Sequence, residues 1–269
     1  MKLSNVFSKR NRVLLRELVV TDFKLRYQGS VLGYAWSLLK PLFLFAIMYV
    51  VFGVLVRLGT IEHYAVYLLL GIVLWTFFSE ATNQGMNSII ARGDIIRKIN
   101  FPKYIIVIST TISALVNLTL NLLIVAVLMA FNGVDLHISA LLLPLYIIEL
   151  YVFALGLSLF LSALNIKYRD TGHIWEIIMQ AAFYATPIIY PLAVVIEKSQ
   201  IAAQILMLNP VAQVIQDSRH ALITEQTITP GQLFNNPIFI LIPFIIVIAT
   251  FIIGALYFKK NSRFFAENI

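Results

Sequence analysis

Residues 105–131 read IIVISTTISALVNLTLNLLIVAVLMAF, 27 positions without one charged side chain. About 20 apolar residues, rising 1.5 Å each as a helix, cross the ~30 Å hydrocarbon core of a bilayer. A soluble helix of this length carries a charged face, and this stretch has none. It reads as a membrane span. The rest of the chain is of the same kind: 269 residues, 60% hydrophobic and 12% charged, with a mean hydropathy of +0.87. A soluble domain has too little interior for so many apolar side chains, whereas a bilayer accepts them on the outside of a helix bundle as well as within it.

Working outward from that stretch, spans are expected at Leu32 to Val56, Tyr64 to Phe78, Ile105 to Phe131, Ile138 to Leu164, Ile174 to Val195 and Pro237 to Phe258. The second is short and can extend through Glu80 toward Met86. The expected fold is therefore an all-α integral membrane protein, one domain over residues 1–269 with a six-span bundle at 32–258 and a tail at 259–269. Six spans leave both termini on one side. Lys and Arg concentrate in the first 40 residues, in the loops after spans two and four, and in the tail; only Arg57, Lys198 and Arg219 fall on the other side. Basic loops stay cytoplasmic, so both termini are expected there. The net charge of +7 follows from this topology without nucleic acid. No short charged segment runs directly into an apolar core and a cleavage site, so the chain is expected to insert whole.

Before the first span, within residues 1–31, Leu14, Leu15, Leu18, Val19, Phe23 and Leu25 alternate with Arg12, Arg16, Glu17, Asp22, Lys24 and Arg26. This pattern predicts an amphipathic helix in the cytoplasmic interface, which either docks a partner or simply anchors the first span. Between spans five and six stand Pro187, Pro191, Pro210, Pro230 and Pro237, with apolar pieces such as Ile201 to Leu208 that are too short to cross. They read as re-entrant or interfacial helices on the external side, or as an ordinary loop with surface helices.

Chemistry of its own is missing from the chain. There is no GxxxxGK(S/T) phosphate loop, no GxGxxG after a strand, no HExxH and no nucleophile elbow. With no cysteine, thiolate catalysis and disulfides are excluded, and His63, His137, His173 and His220 are too scattered to predict a metal site. Energy for transport would come from a partner or from an ion gradient. The second route needs charges buried in the spans, where Glu80, Glu149 and Glu176 are the candidates, without a repeated relay. Aromatic residues toward span ends, among them Trp36, Trp75, Tyr184 and Tyr190, form a headgroup belt or a path on which sugar rings stack. Two compact loops, Arg92 to Lys103 and Asn165 to Asp170, share the face of the N-terminal helix.

Several pieces, in order along nearly the whole chain, resemble the membrane subunit of ABC-2 type transporters, specifically the polysaccharide and O-antigen exporters, with teichoic-acid exporters close by. They are Asp22-Phe23-Lys24-Leu25-Arg26-Tyr27, Gly29-Ser30-Val31-Leu32-Gly33-Tyr34-Ala35-Trp36 with Lys40-Pro41, Ile96-Arg97-Lys98 with Phe101-Pro102, Tyr168-Arg169-Asp170, Thr186-Pro187-Ile188-Ile189-Tyr190, Leu208-Asn209-Pro210 and Phe265-Ala266-Glu267. The resemblance implies a homodimer in the bacterial inner membrane, bound to two copies of a separate ATPase subunit that uses ATP and Mg, with no cofactor on this chain. It implies ATPase coupling through Arg16, Asp22, Lys24, Arg26, Asp94, Arg97, Lys98, Phe101, Pro102, Tyr168, Arg169 and Asp170. A lipid-linked polysaccharide would then pass along a lining expected from Tyr49, Trp75, Phe77, Phe78, Glu80, Tyr184 and Tyr190. The rival readings are a teichoic-acid, capsule-polymer, lipid or drug exporter, an ion-coupled secondary transporter, and a membrane scaffold.

Overall fold

The computed structural model describes residues 9–26, 32–58, 61–99, 101–135 and 137–268. The motif residues Tyr27, Gly29, Ser30 and Val31, and the side chains of Phe23, Leu25, Arg26 and Ala266, lie outside what it describes. The described residues are helical with no strand. Five helices are long and apolar enough to cross a membrane: α2 (Ala35–Leu55), α3 (Tyr64–Ala91), α5 (Tyr104–Phe131), α6 (Ile138–Lys167) and α12 (Pro237–Phe264). Helix α1 (Lys9–Arg26) precedes them, and α4 (Gly93–Lys98) joins α3 to α5.

The fifth expected span is divided. Helix α7 (Thr171–Ala185) has 15 residues, about 22 Å at helical rise, and the chain then leaves the helix until α8 (Leu192–Lys198). Pro187 is the cause. A residue before proline is driven out of the α region, and Thr186 is accordingly extended at φ −85°, ψ 138°. Beyond α8 come α9 (Gln200–Met207), α10 (Pro210–Leu222) and α11 (Pro230–Leu233), each opened by a side-chain cap or a proline. Helix α10 does not lie on the surface. Val211, Ala212, Gln213, Val214, Ile215, Gln216, Ser218 and Arg219 are all buried, against α3 and α6.

Helix α3 is the axle of the bundle: 78% of its span window is buried within the protein, against 6% for α2 and 17% for α12. It runs on to Ala91, past the early end that the apolar stretch alone suggested. Small residues set the closest crossings. A methyl group on Gly254 would overlap the carbonyl oxygen of Gly156, and one on Gly156 would meet the Phe251 backbone, so α6 and α12 touch backbone to backbone. Gly85 likewise admits Ser158, whose hydroxyl donates to the Ala81 carbonyl at 3.1 Å.

One end of the bundle is basic. There α1 lies along α5, its Leu18 buried in a cluster with Ile89, Ile96, Phe101, Ile105 and Phe265. Asp22 pairs with Arg92 at the end of α3 and accepts a hydrogen bond from the Ser109 hydroxyl at 3.3 Å. The tail helix α13 (Phe265–Asn268) packs back here, with Phe265 set edge-on to Phe258 at 5.2 Å. The proline-rich segment occupies the opposite end. Replacing Gly254 by leucine should lower stability by about 1–3 kcal/mol, because the side chain must force two backbones apart. Thermal unfolding of the detergent-purified chain would show it, with Gly172→Ala, whose methyl makes only an ordinary contact with Met86 at 3.8 Å, melting like wild type.

Candidate functional site

Along α3, Thr76, Ser79, Glu80, Asn83, Gln84 and Asn87 recur every three or four residues and so share one face, while the other faces are buried and, apart from Thr82 and Ser88, apolar. That polar face opens into two cavities. The first, about 470 Å³, is lined by Trp36, Ser37, Lys40, Trp75, Ser79, Glu80, Asn83, Gln84 and Asn117. The second, about 610 Å³, lies toward the basic end and is lined by Asn83, Asn87, Asn165, Arg169, His173 and Glu176. They share Asn83, so the polar wall is continuous between them.

Glu80 is the hub of this wall. Its Oε1 accepts from Asn117 Nδ2 at 2.7 Å and Gln84 Nε2 at 3.0 Å. Asn121 Nδ2 ties α5 to the Ser37 carbonyl of α2 at 3.2 Å. Nearer the basic end, Asn165 Nδ2 donates to Asn87 Oδ1 at 3.1 Å and Trp175 Nε1 to Thr82 Oγ1 at 3.3 Å. The buried Asn117 Oδ1 receives no hydrogen bond. A wall of amides, hydroxyls and the Glu80 carboxylate, flanked by Trp36 and Trp75 and bordered by Lys40, Arg169 and Glu176, both donates and accepts hydrogen bonds and offers flat apolar faces. Those are the requirements of a polyhydroxylated ring.

The residues expected to line a path do not gather in one place. Trp75 and Glu80 line the first cavity. Phe77 and Phe78 are buried in the core behind it, Phe78 stacked on Phe153 at 5.4 Å. Tyr49 stacks on Tyr64 at 6.4 Å near the opposite end, where Tyr184 is exposed and the Tyr190 hydroxyl donates to the Tyr184 and Ala185 carbonyls. Ser79, Asn83, Gln84, Asn87 and Asn117 were not foreseen. Their signal was a polar repeat of helical period just past Phe78, in the part of span two that the apolar run leaves out.

The expected coupling residues do share the basic end. Arg16, Lys24, Asp94, Arg97, Lys98, Tyr168, Arg169 and Asp170 are exposed, Pro102 is half-buried, and Phe101 is buried beneath α4 with Ile96. Asp22 is held by Arg92. The side chain of Arg26 is outside the described residues.

At the opposite end sits Arg219, 0% exposed. Its Nε donates to the Tyr67 carbonyl at 3.0 Å, Nη1 to the Pro187 carbonyl at 2.6 Å and Gln216 Oε1 at 3.0 Å, and Nη2 to the Ile188 carbonyl at 2.7 Å. The guanidinium lies 3.5 Å over the Tyr67 ring. Gly71 makes the room, since a methyl there would overlap Nη2. One turn away, Gln213 Nε2 donates to Asp217 Oδ2 at 2.6 Å and reaches Glu149 Oε2 at 3.5 Å. Burial pushes the Asp217 carboxyl up to about 6, against the Gln213 hydrogen bond and the nearby His220, which pull it down.

Arg219→Leu should strand the Pro187 and Ile188 carbonyls at about 1–3 kcal/mol each, while the Tyr67 carbonyl keeps its donor within α3, and Gly71→Val should produce the same loss from the other side; folded yield by size exclusion in detergent reads both. Asp217 carries a raised value, so its protonated form fits the fold. The stability it contributes is complete below about pH 4 and is lost as pH rises through about 6. Asp217→Asn should therefore unfold less readily than wild type at pH 8, by on the order of 2 kcal/mol, and show no advantage at pH 4.

Comparison with known proteins agrees with this arrangement. The profile of the ABC-2 type transporter family matches residues 13–223. An O-antigen export system permease protein RfbA of Myxococcus xanthus is 31% identical over 204 residues, 76% of this chain and 78% of its own. Two Klebsiella pneumoniae proteins of the same name are similar, one at 30% identity over 75% of this chain and 77% of its own, the other at 29% over 94% of both. With a family profile spanning the N-terminal helix, four of the long helices and the buried α10, the chain belongs to the ABC-2 type transporter family.

Proposed function

We propose that this chain is the membrane-spanning permease of an ATP-driven exporter of a lipid-linked, O-antigen-like polysaccharide. The continuous polar wall on α3, the most enclosed helix of the bundle, carries this reading. Polar side chains in a span are costly unless they bond one another or meet a polar cargo, and relatives at about 30% identity are named O-antigen export permeases. The sugar chain would slide along Trp75, Glu80 and the amides of the wall, with Tyr49, Tyr184 and Tyr190 at the exit and Phe77 and Phe78 backing the wall from the core. Many weak contacts suit conduction, because a tight site would hold the polymer.

On this reading the basic end faces the cytoplasm of a bacterial inner membrane, both termini lie there, and α7 makes the sixth crossing, with the bilayer or the protein closing over its short length. Helices α8 to α10 are re-entrant at the external gate. A separate ATPase subunit, absent from the motifs of this chain, binds the exposed face of α1, α4 and the Tyr168 to Asp170 loop. Two such subunits serve a homodimer of this chain.

Affinity purification in mild detergent should recover an ATP-binding subunit equimolar with the permease; recovery of the permease alone, with transport that survives ATP depletion, would instead favour ion coupling through Glu80 and Glu149. Arg97→Glu with Lys98→Glu should leave membrane insertion intact and abolish most polymer export. Asn83→Leu with Asn87→Leu should block export while ATP hydrolysis by the assembled complex continues, as measured side by side in membranes.

A further inference from the structure

Away from the polar wall, a third cavity of about 350 Å³ opens between the basic ends of α5, α6 and α12. Its floor is apolar, made by Tyr104, Ile108, Leu155, Leu159, Phe251 and Phe258, and Lys103, Lys259 and Arg263 stand at its rim. From Phe251 to Lys259 the crevice follows α12 for eight residues, about 12 Å, nearly the depth of one leaflet's hydrocarbon. Helix α12 is the wall most open to the bilayer among these three, with only 17% of its window buried.

We propose that this crevice holds one anionic phospholipid of the leaflet at the basic end, its acyl chain on the apolar floor and its phosphate between Lys103, Lys259 and Arg263. The shape and the charge argue for the same occupant. A second protein chain would have to desolvate three cations, whereas a lipid places its anion at their level and its chain below them. The rim is partly prepared. Lys103 Nζ donates to the Ser262 carbonyl at 2.7 Å and sits 5.7 Å from the centre of the Phe265 ring, which fixes it over the crevice with two further N–H groups to give. Burial pushes the Lys103 amine below its ordinary value, and Glu267 on α13 pulls it the other way. One carboxylate against three cations leaves the rim positive.

The inference needs only the membrane location of the chain, not its cargo. The test is native mass spectrometry of the full chain released from detergent micelles that contain equal amounts of phosphatidylglycerol and phosphatidylcholine with identical acyl chains. Wild type should retain phosphatidylglycerol in about tenfold preference. Lys259→Gln with Arg263→Gln should remove the preference without changing the melting temperature, and Ala255→Phe, which fills the crevice, should remove the retained lipid altogether. Lys260→Gln, on the same helix but outside the lining, should keep the wild-type preference. Equal retention of the two lipids by wild type, an undiminished preference in the double variant, or an equal loss in Lys260→Gln would overturn the site; the last would mean a diffuse basic band.

Discussion

A backbone carbonyl buried away from water must find a donor, and a helix supplies one at every residue except where proline interrupts it. The chain breaks its helix at Thr186 to Pro191 while keeping Thr186, Ile188 and Ile189 buried. Arg219 answers for the break. Its planar fork reaches the carbonyls of Pro187 and Ile188 together with that of Tyr67 on α3, and the Tyr64 hydroxyl takes the Ile189 carbonyl at 2.7 Å. No described carboxylate pairs with this guanidinium; carbonyl dipoles, Gln216 and the face of Tyr67 solvate it. A lysine would offer a point charge without the fork. The position of α8 to α10, and so the whole proline-rich end, depends on this one side chain and on the missing Cβ of Gly71.

The same constraint separates two kinds of polar residue inside the bundle. Ser109, Thr110, Thr111, Ser113 and Ser158 bond back to carbonyls three or four residues earlier on their own helices. Thr110 and Ser113 bond only within their own helix, while Ser109 and Ser158 also reach Asp22 and the Ala81 carbonyl on neighbouring helices. The wall on α3 adds to such local bonds two that run side chain to side chain across helices, Asn117 to Glu80 and Asn165 to Asn87, and it leaves capacity over, as at Asn117 Oδ1. Spare hydrogen-bonding capacity beside a cavity marks a surface made for something polar to pass.

Much of this was legible in the sequence because the bilayer imposes a length. Four spans and the N-terminal helix stand close to where hydropathy and amphipathic spacing placed them, and proline announced the short helices. What escaped was set by three-dimensional pairing. Span two reads as Tyr64 to Phe78, with an extension through Glu80 toward Met86 left open, because Ser79 to Asn87 lowers hydropathy; that loss is the polar wall, sheltered by neighbouring helices. Span five was read as continuous because Ile188, Ile189 and Leu192 keep it apolar through Pro187. Arg219 counted only as a stray positive charge in a loop; nothing local to it names Tyr67, 152 residues away, as its partner.

The window of α2 is buried to only 6%, and Trp36, at the mouth of the first cavity, is 46% exposed. A single copy therefore supplies a wall and not a conduit, since the side of the cavity facing α2 is open. Lipid cannot close it well, because hydrocarbon offers no hydrogen bond to Asn117 Oδ1, which receives none from the described residues. A second copy related by a two-fold axis can, for an isologous contact presents each polar wall to its equal and covers both exposed α2 faces at once. On the proposed reading a homodimer covers the open wall from both sides, and the cargo occupies the space that the two walls enclose.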